Sequence, residues 1–226
     1  MFTKEEVARK IDHAVLKPMQ TDADVVKNAK MCAARGVGSL CVRPSDVKLA
    51  AETLKGSSCR PSCVIGFPHG ASRPETKALE ARLAIEDGAA ELDMVMNIGK
   101  FLSGDFAWVQ RDIEGVVQAA KPKGVLVKVI LETCLLTPEQ VAKACRIAEA
   151  AGANFVKTST GFNGDGANPQ VIDIMLKTVG KTLGVKASGG VRSWETAVAY
   201  LKQGCSRLGV ASTEAVLDGA KSDGQY

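Results

Sequence analysis

Apolar residues in this chain recur in two alternating rhythms. Short runs rich in Val, Ile, Leu and Met read as buried strands. They fall at Ile11–Leu16, Ser39–Val42, Ser62–Phe67, Glu91–Asn97, Leu126–Leu131, Phe155–Thr160, Gly184–Ser188 and Arg207–Ala211. Between them lie amphipathic segments with helical spacing, near residues 22–35, 45–55, 74–87, 105–120, 138–151, 169–180, 193–203 and 212–220. Several carry start signals: Thr21-Asp22 at the first, Arg73-Pro74-Glu75-Thr76 at the third and Thr137-Pro138-Glu139-Gln140 at the fifth. The last two put proline in the first turn beside an acidic residue. Gly88, Gly152 and Gly204 stand where helices should stop.

Eight strands alternating with eight helices imply parallel pairing through right-handed crossovers. A closed (β/α)₈ barrel satisfies that pattern, and 226 residues spread over eight units gives about 28 per unit. No Pro/Gly/Ser linker divides the chain, so residues 1–226 are expected to form one domain. The polar, Gly-containing stretch 218–226 is expected to be a mobile tail.

Composition narrows the function rather than the fold. With 46% hydrophobic and 24% charged residues the chain is an ordinary soluble globular type. Its apolar runs fall far short of the roughly 18 residues a membrane span needs. The charged start Met1-Phe2-Thr3-Lys4-Glu5-Glu6 lacks an apolar core, which argues against secretion. Seven cysteines, an odd and scattered set, fit free thiols in a reducing cytoplasm. A net charge of +4 with interspersed signs and 4% aromatics argues against a nucleic-acid surface. It suits an anionic small-molecule substrate.

The candidate chemistry lies in a pair of lysines. Val156-Lys157-Thr158-Ser159-Thr160-Gly161 and Val185-Lys186-Ala187-Ser188-Gly189-Gly190 share one pattern, and their lysines are 29 positions apart. Lys128 lies another 29 positions before Lys157, so the three are expected on neighbouring strands at similar height. Asp93 lies on the strand before. A buried ammonium is costly. An imine-forming lysine must titrate near neutrality, which takes about 4 kcal/mol relative to water. Burial and a neighbouring ammonium supply that together. One lysine can then be the nucleophile while the other keeps it uncharged, and Asp93 can balance the second and relay protons. Spacing alone leaves open which lysine is which. The competing reading makes the lysines structural ion pairs with Asp93, Glu91 or Glu132.

Thr160-Gly161, Ser188-Gly189-Gly190 and Ser212-Thr213 follow late strands and precede helices. Glycine turns there let a phosphate reach backbone N–H groups, although ordinary βα turns also favour Gly and Ser.

Motifs along nearly the whole chain resemble those of the deoxyribose-phosphate aldolase family, class I (Schiff-base) aldolases on a (β/α)₈ barrel. The matching stretches include Ile11-Asp12-His13-Ala14-Val15-Leu16-Lys17-Pro18, Cys41-Val42-Arg43-Pro44, Ile65-Gly66-Phe67-Pro68-His69-Gly70 and Glu91-Leu92-Asp93-Met94-Val95. They continue through Val127-Lys128-Val129-Ile130-Leu131-Glu132-Thr133, Val156–Phe162 and Val185–Arg192. The resemblance implies that Lys157 forms the Schiff base and that Asp93 and Lys186 transfer protons. It implies phosphate-binding turns at Thr160, Gly161, Gly189, Gly190 and Ser212, and supporting roles for Asp12, Cys41 and Lys128. It further implies reversible cleavage of 2-deoxy-D-ribose 5-phosphate to D-glyceraldehyde 3-phosphate and acetaldehyde. No metal or organic cofactor, a cytoplasmic setting and a homodimer are expected with it. Glu214 departs from the family pattern by placing a carboxylate near the expected phosphate. Tyr226, the last residue, is a candidate to fold over the site as a proton donor. The alternatives are a Schiff-base aldolase with another donor, and a phosphosugar-binding barrel without activity.

Two histidines are too few for a multi-histidine zinc site. Cys59-x-x-x-Cys63 has no companion pair. Gly36-Val37-Gly38-Ser39-Leu40-Cys41 precedes a strand, so it is not a dinucleotide fingerprint.

Overall fold

In a computed structural model, which describes residues 2–219, the chain closes into a barrel of eight parallel strands. The first half runs α1 (Lys4–Ala8), β1 (Ile11–Val15), α2 (Asp22–Arg35), β2 (Ser39–Val42), α3 (Val47–Thr53), β3 (Arg60–Ile65), α4 (Pro74–Glu86), β4 (Glu91–Val95) and α5 (Ile98–Leu102). It continues through α6 (Phe106–Ala120), β5 (Leu126–Ile130), α7 (Pro138–Ala150), β6 (Phe155–Lys157), α8 (Pro169–Val179), β7 (Gly184–Ser188), α9 (Trp194–Gln203), β8 (Arg207–Val210) and α10 (Thr213–Asp218). Each strand pairs with the next, and β8 returns to β1.

Local chemistry explains the helix ends. Thr21 and Thr137 cap α2 and α7 in reciprocal capping boxes with Asp24 and Gln140, which satisfies N–H groups the helix itself leaves open. Gly204 ends α9 at φ 123°, a backbone conformation closed to most side chains.

Strand ends differ from the hydrophobic pattern where side chains past the ladder are still buried. The third strand runs from Arg60 to Ile65, the fourth ends at Val95 and the sixth at Lys157. Thr158, Ser159 and Thr160 remain fully buried, but the Thr160 N–H and hydroxyl turn to Glu132 rather than to a strand, so burial extended the apparent strand. The short helices α1 and α5 lie outside the eight expected. Asp218, the first residue of the expected tail, belongs to α10 and pairs with Arg35 at 2.5 Å. Tyr226 lies outside the described residues.

Two environments result. The apolar core fills the layer between sheet and helices. His13 faces that layer and ties β1 to Thr213 and Asn28, each at 2.8 Å. Burial pushes its titration down to about 4, so it stays neutral near physiological pH. Inside the barrel a small apolar group, Ala14, Leu16, Cys41 and Val64, sits beside charged residues. No described helix is long and apolar enough to cross a membrane.

A fully buried ion pair lies in the outer layer. Lys77 of α4 donates to Asp112 of α6 at 2.6 Å and to the Val95 carbonyl at 2.8 Å, and both charged side chains are fully buried. Removing one partner strands the other charge. Asp112→Ala is therefore expected to destabilise folding by about 3–5 kcal/mol, read as a lower urea midpoint. An unchanged midpoint would show that water reaches Lys77.

Candidate active site

The parallel register decides which polar side chains meet. Asp93 pairs directly with Lys128, Lys157 with Lys186, and Lys186 with Arg207. Between β5 and β6 the register slips: Lys128 pairs with Phe155, and Lys157 pairs with Ile130. The 29-residue spacing suggested equal heights, but Lys128 lies two residues below Lys157 along the sheet. A closed barrel of tilted strands requires such stagger.

The resulting cluster is dry and dense. Lys157 Nζ donates to Asp93 Oδ2 at 2.9 Å, and Lys186 Nζ donates to the same oxygen at 2.7 Å. Lys186 also reaches Asp12 Oδ2 at 2.5 Å. Below them Lys128 contacts Glu91 at 2.6 Å, Asp93 at 2.9 Å and Asp12 at 3.4 Å. Arg207 closes the bottom, bonding Asp12 and, at 2.5 Å, Glu91. All three lysines and all three carboxylates are at most 1% exposed.

Burial alone would push the carboxylates toward their neutral forms and the lysines toward theirs. Neighbours reverse that for most of the cluster. Burial raises Asp93, but Lys128, Lys157 and Lys186 hold it well below the usual carboxylate range. Asp12 is lowered against burial by Lys128, Lys186 and Arg207. Lys128 and Lys186 are raised above the ordinary lysine value, because Asp12 and Asp93 outweigh burial. Both are thus ammonium groups, and both carboxylates are ionised.

Each site residue expected from the sequence has a definite place. Asp93, Lys157 and Lys186 converge on one carboxylate oxygen. Asp12 joins them as a buried ion-pair partner, with its oxygens engaged by lysine and arginine. Cys41 lies in the apolar group within the barrel; burial pushes its thiol up to about 11. Glu132 does not join the lysines. It accepts from the Thr160 N–H at 3.0 Å, from the Thr160 hydroxyl and from Asn163 at 2.8 Å. Among the described residues it is the one non-glycine at positive φ, 55°, a conformation costing on the order of 1–2 kcal/mol. Those three donors hold it there and shape the turn after β6.

The turns after β6 and β7 pack backbone against backbone. A Cβ on Gly166 would stand 2.2 Å from Gly189, and Ala167 N–H donates to the Ser188 carbonyl at 3.0 Å. At Gly190, with φ 79°, a Cβ would meet nothing within 4 Å. Open space beside exposed backbone is what an anion needs for close approach. Ser212 precedes α10 but makes no side-chain capping bond, and Glu214 beside it is exposed. Phe162 stacks edge-on against Phe67 at 5.1 Å and, with Leu16, Pro18, Val64 and Pro68, lines an apolar pocket of about 320 Å³.

Arg207 was the residue sequence reasoning missed. It opens a strand and resembles a solvent-facing edge; only the two-residue alternation with Gly209 hinted that it points inward. The Ser159 and Ser188 hydroxyls were also overlooked. Each lies two residues beyond a site lysine, buried and without a hydrogen-bond partner among the described residues. Among those residues no group of three His, Cys, Asp or Glu side chains is placed to hold a metal ion.

Comparison with known proteins shows the family. The family model for DeoC/LacD family aldolases matches residues 7–213. A deoxyribose-phosphate aldolase of Clostridium perfringens is 49% identical over 223 residues, covering 99% of each chain. One from Thermococcus gammatolerans is 48% identical, covering 96% of this chain and 97% of its own. Among solved structures, the tetrameric deoxyribose phosphate aldolase of Aeropyrum pernix superposes with a TM-score of 0.87 at 34% identity, covering 96% of this chain and 91% of its own. An aldolase called QR15 gives 0.90 at 34% identity, covering 94% and 95%.

Proposed function

The chain belongs to the DeoC/LacD aldolase family, and from that premise we propose that it reversibly cleaves 2-deoxy-D-ribose 5-phosphate to D-glyceraldehyde 3-phosphate and acetaldehyde through a Schiff base on Lys157. The observation that carries this reading is the Asp93 oxygen shared by Lys157 and Lys186. A lysine nucleophile needs a neutral amine and a nearby group to move protons. Lys186 is held charged by two carboxylates, so its field disfavours a second charge on Lys157.

In the proposed sequence Lys157 Nζ attacks the C1 aldehyde and forms a carbinolamine. Asp93 and Lys186 carry protons between nitrogen and oxygen, and loss of water leaves the protonated imine. That imine draws the C2–C3 bonding electrons as the C3 hydroxyl gives up its proton, releasing glyceraldehyde 3-phosphate. The enamine takes a proton at C2, and water returns the amine and acetaldehyde. The open backbone at Gly190 and the turns at Thr160-Gly161 and Gly189 suit the phosphate. The hydroxyls of Ser159 and Ser188 are available for substrate oxygens. No metal or organic cofactor enters these steps. A cytoplasmic setting belongs to the same proposal, supported by the odd set of seven cysteines.

Mixing the protein with deoxyribose 5-phosphate and borohydride is expected to reduce the imine and leave one covalent adduct on the Lys157 peptide. The two aldehydes are expected to appear in equal amounts without borohydride. An adduct elsewhere, or turnover of dihydroxyacetone or pyruvate donors with no acetaldehyde, would replace this reading with another aldolase reaction.

A further inference from the structure

One carboxylate organises the turn after β6. The Glu132 backbone is pinned on both sides: the Leu131 N–H donates to the Lys157 carbonyl at 2.9 Å, and the Thr133 N–H to the Thr158 carbonyl at 3.0 Å. Its side chain, 1% exposed, reaches further along the same segment. One oxygen accepts from the Thr160 N–H, the other from the Thr160 hydroxyl and the Asn163 amide. The Thr160 hydroxyl accepts in turn from the Phe162 N–H at 3.1 Å. The Asn163 amide also reaches the Pro68 carbonyl, after β3, at 3.4 Å. Residues 160–163 are thus wrapped around Glu132, with Gly161 in the middle of the turn at φ 84°. A side chain is held in left-handed backbone, as Glu132 is, only where its surroundings over-determine it, and such positions collect at ligand sites.

On the reading of the β6 and β7 turns as the phosphate seat, we infer that Glu132 is a positioning residue that fixes residues 160–163, so that Gly161 and the neighbouring turn at Gly189 and Gly190 present their backbone to the substrate phosphate. The second turn follows the first because the segments are in contact. Gly166 packs on Gly189, and the Ala167 N–H donates to the Ser188 and Gly189 carbonyls at 3.0 and 3.1 Å. A displaced β6 turn therefore displaces the β7 turn with it. A carboxylate suits this place because three donors converge on it, and a charged acceptor binds each more strongly than a neutral one. Glu132 acts through the turn and is assigned no contact with substrate.

The test compares kcat/KM for 2-deoxy-D-ribose 5-phosphate with kcat/KM for unphosphorylated 2-deoxy-D-ribose. Glycine adopts left-handed backbone without strain, so Glu132→Gly removes the carboxylate while the chain can keep its path. The preference of that variant for the phosphorylated sugar is expected to fall by about 10-fold or more, the scale on which a displaced substrate-positioning group acts. Glu132→Gln keeps an oxygen for the Thr160 N–H, and its preference is expected to lie between those of Glu132→Gly and the unmodified protein. Circular dichroism melts establish which variants are folded. If Glu132→Gly is not, Asn163→Ala, which deletes one of the three donors, carries the test and is expected to lower the preference in the same direction. Undiminished preference in the folded variant, equal losses on both sugars, or a glutamine variant no better than glycine would overturn the inference. An unmodified protein that cleaves both sugars equally well would instead remove the phosphate reading on which it rests.

Discussion

Lys157→Met is expected to lose activity by about 10⁴-fold or more, because it deletes the atom that forms the covalent bond. Methionine nearly matches the lysine stem in volume and leaves no buried charge of its own, so the variant should fold. Lys128, Lys186 and Arg207 still face Asp12, Glu91 and Asp93 in that variant. Folding is therefore expected to be retained while turnover vanishes. Borohydride with deoxyribose 5-phosphate should give no adduct at any lysine. Retained turnover, or an adduct moved to Lys186, would assign the two lysines the other way round, an exchange their matched sequence settings allow.

Lys186→Met is expected to cost about 10²–10⁴ in kcat/KM, the range for loss of a positioned proton-transfer group. Two effects coincide here. The shuttle beside Asp93 disappears, and so does the charge that disfavours protonation of Lys157. The sign follows from like-charge repulsion: without the Lys186 ammonium on the shared Asp93 oxygen, Lys157 keeps its proton to higher pH. The acid limb of kcat/KM should move upward, and part of the lost rate should return in alkaline buffer. A loss of rate with no movement of the limb would mean that Lys186 acts only by moving protons. The pH response separates the two roles, which a single rate at neutral pH would merge.

Much of this site was legible along the chain because barrels repeat. One βα unit is nearly constant in length, so Lys128, Lys157 and Lys186 announced themselves by spacing, and Asp93 fell one strand earlier. The glycine turns were legible for a similar reason: a strand followed by small residues and a helix start leaves few other structures. Pattern failed where burial and pairing part company. Thr160 is as buried as a strand residue, yet its N–H and hydroxyl bond to Glu132, so β6 looked longer than it is. Glu132 read as a partner for the lysines because it is acidic and close in sequence. Its left-handed backbone turns the carboxylate to Thr160 and Asn163 instead.

The sequence by itself determined the alternation of strands and helices, the closed eight-unit architecture and the identity of the chemical groups. These follow from local periodicity, from capping residues and from the cost of burying a charge, all of which act within one unit. Only the tertiary structure decided who touches whom. The stagger between β5 and β6 dropped Lys128 beneath Lys157, and closure of β8 onto β1 brought Arg207 to Asp12, 195 residues away. Register and closure depend on all eight strands at once, so no single segment encodes them.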